Sequence, residues 1–313
     1  MTAPRRVFQF ALYGRAGTGK TSFLAAMAMP HASRDGVACT WRCAAVDVPR
    51  PPGPEDEWAA GDPAVAAYRG AEWLREAIGA FDAGGVLKSN RDDTPALRLR
   101  FDLKDGGVEY PVEVIDYSGE LIDPETSAEE IAASLRKHLL ECDGLLVLAE
   151  APRPGAAVGS ADGLLRLQQA FAVLSGGAGR PGLPADTGVA MVVNKWDRRG
   201  TAAGSVEEFL DGPDGAAHRG LRDALRTADP TGFRAFAASA FGRSLTDDDA
   251  PAERPTTERP LPSFGLEEPF LWAARRRRTL DGDRAVERVR ARFEGQMIPD
   301  YDTNLMIFRK RGC

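Results

Sequence analysis

The sequence predicts an α/β protein: a doubly wound, mostly parallel sheet with helices on both faces. Three observations predict it. A β-rich run, RVFQFALY at residues 6–13, meets a glycine loop and then a helical pattern, GKTSFLAAMAM, that stops near Pro30. Two alternating runs, ALRLRFDL and VEYPVEVIDYSG, flank a KDGG turn, which is the pattern of a β-hairpin. Further on, apolar runs of buried-strand length alternate with helical patterns, the order that parallel crossover units require.

The elements follow in order. After the first helix, PRPPGPEDEW is an irregular segment rich in proline and acid. A helix spans about 63–81, with Val65, Tyr68, Trp73 and Ile78 at helical spacing. DAGGVLKSNRDDTP is a loop that leads into the hairpin. SAEEIAASLRKHLLECD is a helix, GLLVLAEA a buried strand, DGLLRLQQAFAVLSG a helix and GVAMVVNKWD a second buried strand. GPDGAAHRGLRDALRTA is a helix, and GFRAFAASAFG the next strand with its loop. LTDDDAPAERPTTERPLPS is a linker-like loop, GLEEPFLWAARRRR opens the last core helix, and DRAVERVRARFEG forms another. The expected organisation is one domain over 1–274, with an insertion at about 31–93 and a loop at about 243–263, then a helical extension and tail over 275–313.

Composition narrows the classes. The chain has 313 residues, 43% hydrophobic, with a formal net charge of −6. That mild acidity argues against a dedicated binder of nucleic acid or of a membrane surface. No apolar run approaches a membrane span. The apolar run near the start is short and breaks at Tyr13–Gly14, so it reads as a first strand and not as a signal peptide. Cys39, Cys43, Cys142 and Cys313 match no zinc spacing and read as buried or incidental thiols of a reducing cytoplasm. His31, His138 and His218 share no motif.

The chemistry concentrates in four short stretches. In GRAGTGKT, Gly14, Arg15, Ala16, Gly17, Thr18, Gly19, Lys20 and Thr21 spell a phosphate-cradling loop that continues through Ser22 into a helix. Glycines let backbone N–H groups approach a phosphate, and the helix aims its positive end at the same anion. Lys20 would neutralise β- and γ-phosphate charge, and the Thr21 hydroxyl would ligate Mg²⁺. VVNKWD puts Asn194, Lys195 and Asp197 at the end of a buried strand. A carboxylate there accepts the N1–H and the exocyclic amine of guanine, a donor pair that adenine lacks. Asn194 would tie this motif to the phosphate loop, and the Lys195 stem would lie along the base. Ser239, Ala240 and Phe241 follow the next strand, where a backbone N–H can meet the guanine carbonyl. Asp-x-x-Gly recurs in the chain, but only Asp116, in VEVIDYSGE, ends an apolar strand in the right place. Asp116 can hold the Mg²⁺ shell, usually through water, and Gly119 can turn its N–H to the γ-phosphate. Thr94, 22 residues before Asp116, can add its hydroxyl to Mg²⁺ in the triphosphate state.

Taken in order, GRAGTGKT, Thr94, DYSG, NKWD and SAF resemble the translation-factor-type (TRAFAC-class) Ras-like P-loop GTPases, over about residues 6–241. The resemblance implies Mg-GTP binding, a six-stranded sheet with one antiparallel strand, and two switch loops. It also implies hydrolysis of GTP to GDP and phosphate, and a protein effector or activating partner. PSFGLEEPFLWAARRRR is also similar to the end helix of bacterial GTPases in multi-gene conflict or effector systems. One residue departs from the family. Glu120 stands where many Ras-like enzymes carry the glutamine that orients the attacking water. A carboxylate sits unfavourably beside γ-phosphate charge and donates no hydrogen bond, so slow intrinsic hydrolysis is expected. A non-hydrolysing GTP-binding module is the alternative, and an ATPase a third reading. Arg15, Lys88 and Arg91 are candidates for charge neutralisation in cis, with solvated surface charge the favoured reading of all three. The Arg275–Arg278 run reads as a solvated helix end, diluted by Asp281, Asp283, Glu287 and Glu294. Trp58 and Trp73 either cap a small local core or form a partner surface.

Overall fold

The computed structural model of the chain describes residues 6–15, 17–28, 41–45, 48–59, 62–82, 97–105, 108–116, 142–152, 161–175, 187–199, 204–228, 232–240 and 263–294. They fall into two compact units, residues 1–274 and 275–313.

The first unit is built on one seven-stranded sheet. Its strands are β1 (Phe8–Tyr13), β2 (Trp41–Ala45), β3 (Leu97–Asp105), β4 (Val108–Asp116), β5 (Gly144–Glu150), β6 (Gly188–Asn194) and β7 (Phe233–Ala237). The sheet order is β2-β3-β4-β1-β5-β6-β7. β4, β1, β5, β6 and β7 pair in parallel, whereas β3 is antiparallel to both of its neighbours. β3 is therefore the single antiparallel strand. The sheet has one strand more than the family resemblance implies. The addition is β2, an edge strand contributed by the insertion that sequence patterning did not mark.

The helices are α1 (Lys20–Ala28), α2 (Pro63–Asp82), α3 (Ala161–Ser175), α4 (Val206–Asp211), α5 (Ala216–Ala228) and α6 (Glu268–Glu294). Period-two alternation along the strands separates two cores. On one face Phe10 and Leu12 of β1, Leu99 and Phe101 of β3 and Val112 and Val114 of β4 meet Phe23 and Met27 of α1, Leu74 of α2 and Phe270 of α6. On the other, Ala11 and Tyr13 of β1, Leu145 and Val147 of β5 and Met191 and Val193 of β6 meet Phe171 of α3, Phe209 of α4 and Leu221 of α5. Strands buried on both faces explain why β5 and β6 read as continuous apolar runs.

The insertion is docked on the sheet through α2. A side-chain carbon at Gly70 would lie 2.3 Å from the Arg98 carbonyl oxygen, so only glycine lets this helix come so close to β3. Beside α2, Trp58 packs edge-on against Tyr68 at 5.6 Å between centroids. Two expectations for helices are corrected. α4 lies where no helix was predicted. The region read as two terminal helices is one continuous helix, α6, through Gly282. The first turns of α6 bury Phe270, Leu271, Ala273 and Ala274 in the first unit. In the second unit the helix carries an i,i+4 ion pair of Arg277 with Asp281 at 3.3 Å. The expected helix at 127–143 and the loop at 243–262 lie outside the described residues, save for Cys142 and Asp143.

Candidate nucleotide site

The sequence motifs converge at the C-terminal edge of the parallel strands, the edge at which open α/β sheets hold ligands. β1 ends at Tyr13 and the chain turns at once into the glycine loop. Gly17 and Gly19 have φ of 84° and 85°, a conformation that a side chain would strain. Thr18 closes the turn on the Arg15 carbonyl, which accepts from the Thr18 N–H at 3.2 Å and from its hydroxyl at 2.9 Å. The Lys20 ammonium lies inside the loop, donating to the Gly14 carbonyl at 2.5 Å. α1 starts at Lys20, so the first-turn N–H groups, those of Lys20, Thr21 and Ser22 among them, have no acceptor within the helix. A helix N-terminus beneath a cationic loop is a phosphate-binding arrangement.

The second motif is tied to this loop from β6. The Asn194 side chain, buried at the end of that strand, donates Nδ2–H to the Thr18 carbonyl at 2.8 Å. Its Oδ1 is buried and takes no hydrogen bond among the described residues. Lys195 donates Nζ–H to the Gly17 carbonyl at 2.7 Å. Burial pushes the Lys195 ammonium below its usual range, and the Glu150 carboxylate opposes that shift. Asp197 sits in a short 3-10 turn, Trp196–Arg199, and its carboxylate accepts a short hydrogen bond from the Ser239 hydroxyl. Burial pushes the Asp197 carboxyl up, while Ser239 and the neighbouring backbone pull it down. Ser239 is itself pinned by a two-way bridge to Phe264, each bond 3.0 Å. The structure thus brings Gly14, Arg15, Gly17, Thr18, Gly19, Lys20, Thr21, Ser22, Asn194, Lys195, Asp197, Ser239 and Ala240 to one edge of the sheet. Ala16, Thr94, Gly119, Glu120 and Phe241 lie outside the described residues.

No protein-family model matches the chain, and no curated protein matches it. Among solved structures it is similar to the crystal structure of the G domain of the T. maritima FeoB iron transporter. The likeness has a TM-score of 0.33 and 14% sequence identity, over 87% of this chain and 99% of that one. So distant a likeness carries no chemistry with it, and the ligand must be inferred from this chain's own side chains.

Magnesium is a fit test for those side chains. Thr21 is the second residue of α1, and Asp116, the last of β4, pairs in register with Leu12 near the end of β1. Both therefore belong to the loop edge of the sheet. A hydroxyl and a carboxylate are hard oxygen ligands of the kind magnesium takes, with phosphate oxygens and water completing its shell. Among the described residues no group of three or more His, Cys, Asp or Glu could hold a metal.

Sequence reasoning missed three residues beside the site. Glu150, the last residue of β5, accepts a short hydrogen bond from Arg198 and lies 3.2 Å from Lys195. His218 of α5, fully buried, donates Nε2–H to the Glu150 carbonyl at 2.8 Å, since a carbonyl can only accept. The one readable signal was an acid closing the otherwise apolar GLLVLAE. Among the described residues no helix is long and apolar enough to cross a membrane.

Proposed function

We propose that the chain is a Ras-like P-loop GTPase: it binds GTP and GDP with magnesium and hydrolyses GTP to GDP and phosphate as a switch that turns over slowly alone. The observation that carries this is the junction of two motifs far apart in sequence, the Asn194 amide on the Thr18 carbonyl at 2.8 Å. It supports reading the two stretches as one site, a phosphate cradle joined to a base-reading carboxylate. In this reading the loop from Gly14 to Ser22 wraps the phosphates and Lys20 neutralises their charge. Asp197, oriented by Ser239, accepts the N1–H and amine of guanine. Adenine would leave that carboxylate facing the wrong pattern of donors and acceptors, a costly mismatch. The backbone at Ala240 and Phe241 meets the guanine carbonyl. Thr21, Asp116 through water and, in the triphosphate state, Thr94 would hold magnesium, which would supply charge neutralisation at the phosphates. Thr94 and Gly119 then order their loops only while the γ-phosphate is present.

Two measurements test this. GDP, and not ADP, should compete for the site. Asp197→Asn should cut the guanine-over-adenine preference by about 100-fold or more. Undiminished preference in that variant would remove Asp197 as the base-reading group, and competition by ADP in place of GDP would return the ATPase. Phosphate release with Mg-GTP should exceed that of Thr21→Ala. Release no higher than in that variant would move the chain to the second reading, a GTP-binding interaction module without turnover. Glu120 favours that alternative, because the sequence has a carboxylate in the place where the resemblance implies a water-orienting amide.

A further inference from the structure

β5 ends on a carboxylate that belongs to no motif and is held on every side. The Glu150 main chain is fixed by His218, whose Nε2–H meets its carbonyl at 2.8 Å. The next residue, Ala151, donates its N–H to the Asn194 carbonyl at 2.8 Å. The Glu150 side chain gathers the two cations that flank Asp197 in the chain, Lys195 and Arg198, both on Oε1. Lys195 has φ 58°, the one non-glycine residue in the left-handed region among the described residues, so its backbone needs holding. Its ammonium is shared between the Gly17 carbonyl of the phosphate loop and Glu150.

The geometry has an electrostatic consequence. Asp197 sits between two cations in a partly buried turn, where charges act strongly on one another. With a carboxylate of their own, Lys195 and Arg198 turn toward Glu150. Both cations already act on the Asp197 carboxylate, and without Glu150 to draw them off, pairing with them would take up the oxygens that must accept a base. We infer that Glu150 is a positioning residue of the nucleotide site: it draws Lys195 and Arg198 away from Asp197, leaving that carboxylate open to guanine and Lys195 anchored on the phosphate loop. The inference rests on the guanine reading above.

Removing the carboxylate, and then one of the cations that it draws off, tests it. Mg-GDP affinity is measured by calorimetric titration for the unmodified chain and for Glu150→Ala, Glu150→Gln, Arg198→Ala and Glu150→Ala/Arg198→Ala, with the melting temperature of each nucleotide-free protein. Glu150→Ala should weaken GDP about tenfold. Glu150→Gln keeps the shape and an acceptor oxygen, and should fall between it and the unmodified chain. Removing Arg198 as well should restore part of the affinity, because one of the two competing cations has gone. A merely structural ion pair would show its loss and its rescue in the nucleotide-free melting temperature as well, whereas here the rescue should appear in GDP affinity beyond any change in that temperature. Full affinity in both Glu150 variants, or a double variant no tighter than Glu150→Ala, overturns the inference while leaving guanine binding in place. An unmodified chain that binds no GDP removes the guanine reading, and this inference with it.

Discussion

In the proposed guanine site Asp197 would read a base only while it is ionised and aimed, and its surroundings pull on both requirements. Burial favours the neutral carboxyl, and the Ser239 hydroxyl, fixed in turn by Phe264, opposes it. Ser239→Ala removes the donor that orients the carboxylate and leaves burial less opposed. GDP affinity should fall about tenfold at neutral pH with little change in weak adenine binding, as read by calorimetric titration. Unchanged GDP affinity would mean that the hydroxyl does not orient the base-reading oxygens. The residues of the loop and of N-K-x-D were legible in the sequence because each motif is local: spacing within eight or four residues carries its chemistry. Glu150, Arg198 and His218 were not, because their partners come from strand register and from the packing of α5. In the sequence His218 stands 68 residues from the carbonyl it donates to, and no spacing rule spans that.

At the scale of elements, the alternation of strands and helices gave the sheet and both of its faces, and the exceptions have physical reasons. α4 has six residues, too few for helical periodicity to show. It stands on a reciprocal capping box, the Ser205 hydroxyl accepting from the Glu208 N–H at 3.1 Å and the Glu208 carboxylate from the Ser205 N–H at 2.8 Å. Ser205→Ala should destabilise the protein by about 1 kcal/mol in denaturant unfolding, with nucleotide affinity unchanged. α6 runs through Gly282 because a lone glycine costs a helix only about 1 kcal/mol, too little to end one of 27 residues. β2 is an edge strand, and pairing on one side alone leaves a weaker pattern than the buried runs of β5 and β6. The docking of the insertion is a sharper claim. Gly70→Ala forces a methyl against the Arg98 carbonyl, and either α2 or β3 must move. The expected loss is about 1–3 kcal/mol, and Gly79→Ala, on the same helix with nothing within 4 Å of the new carbon, should show no such loss.

For the molecule as a whole, two buried groups make stability and binding answer pH differently. Burial, reinforced by the Arg199 cation, holds His218 below its usual range against the pull of the Glu150 carbonyl. A group whose folded pKa is depressed binds fewer protons in the native state than in the unfolded one. Its contribution is therefore complete above the ordinary histidine value and is lost as pH falls below it. Asp197 has the opposite sign: its folded pKa is raised, so the nucleotide-free protein gains stability from it as pH falls from the raised value toward the ordinary one. The proposed contact with guanine, however, needs the ionised carboxylate, so binding should weaken over that same fall. Melting temperatures taken from pH 7 down to pH 4, with and without Mg-GDP, separate the two groups. The nucleotide-free protein should lose stability first below about pH 6.5, the ordinary histidine value. His218→Gln, which keeps a donor for the Glu150 carbonyl but carries no proton to titrate, should flatten that first limb. The extra stability conferred by GDP depends on its affinity at each pH, and it should shrink as the raised Asp197 pKa is crossed. If the GDP increment stays constant down to the ordinary Asp range, Asp197 is not the group that the base engages. If His218→Gln leaves the first limb unchanged, the acid sensitivity of the fold lies elsewhere than beneath Glu150.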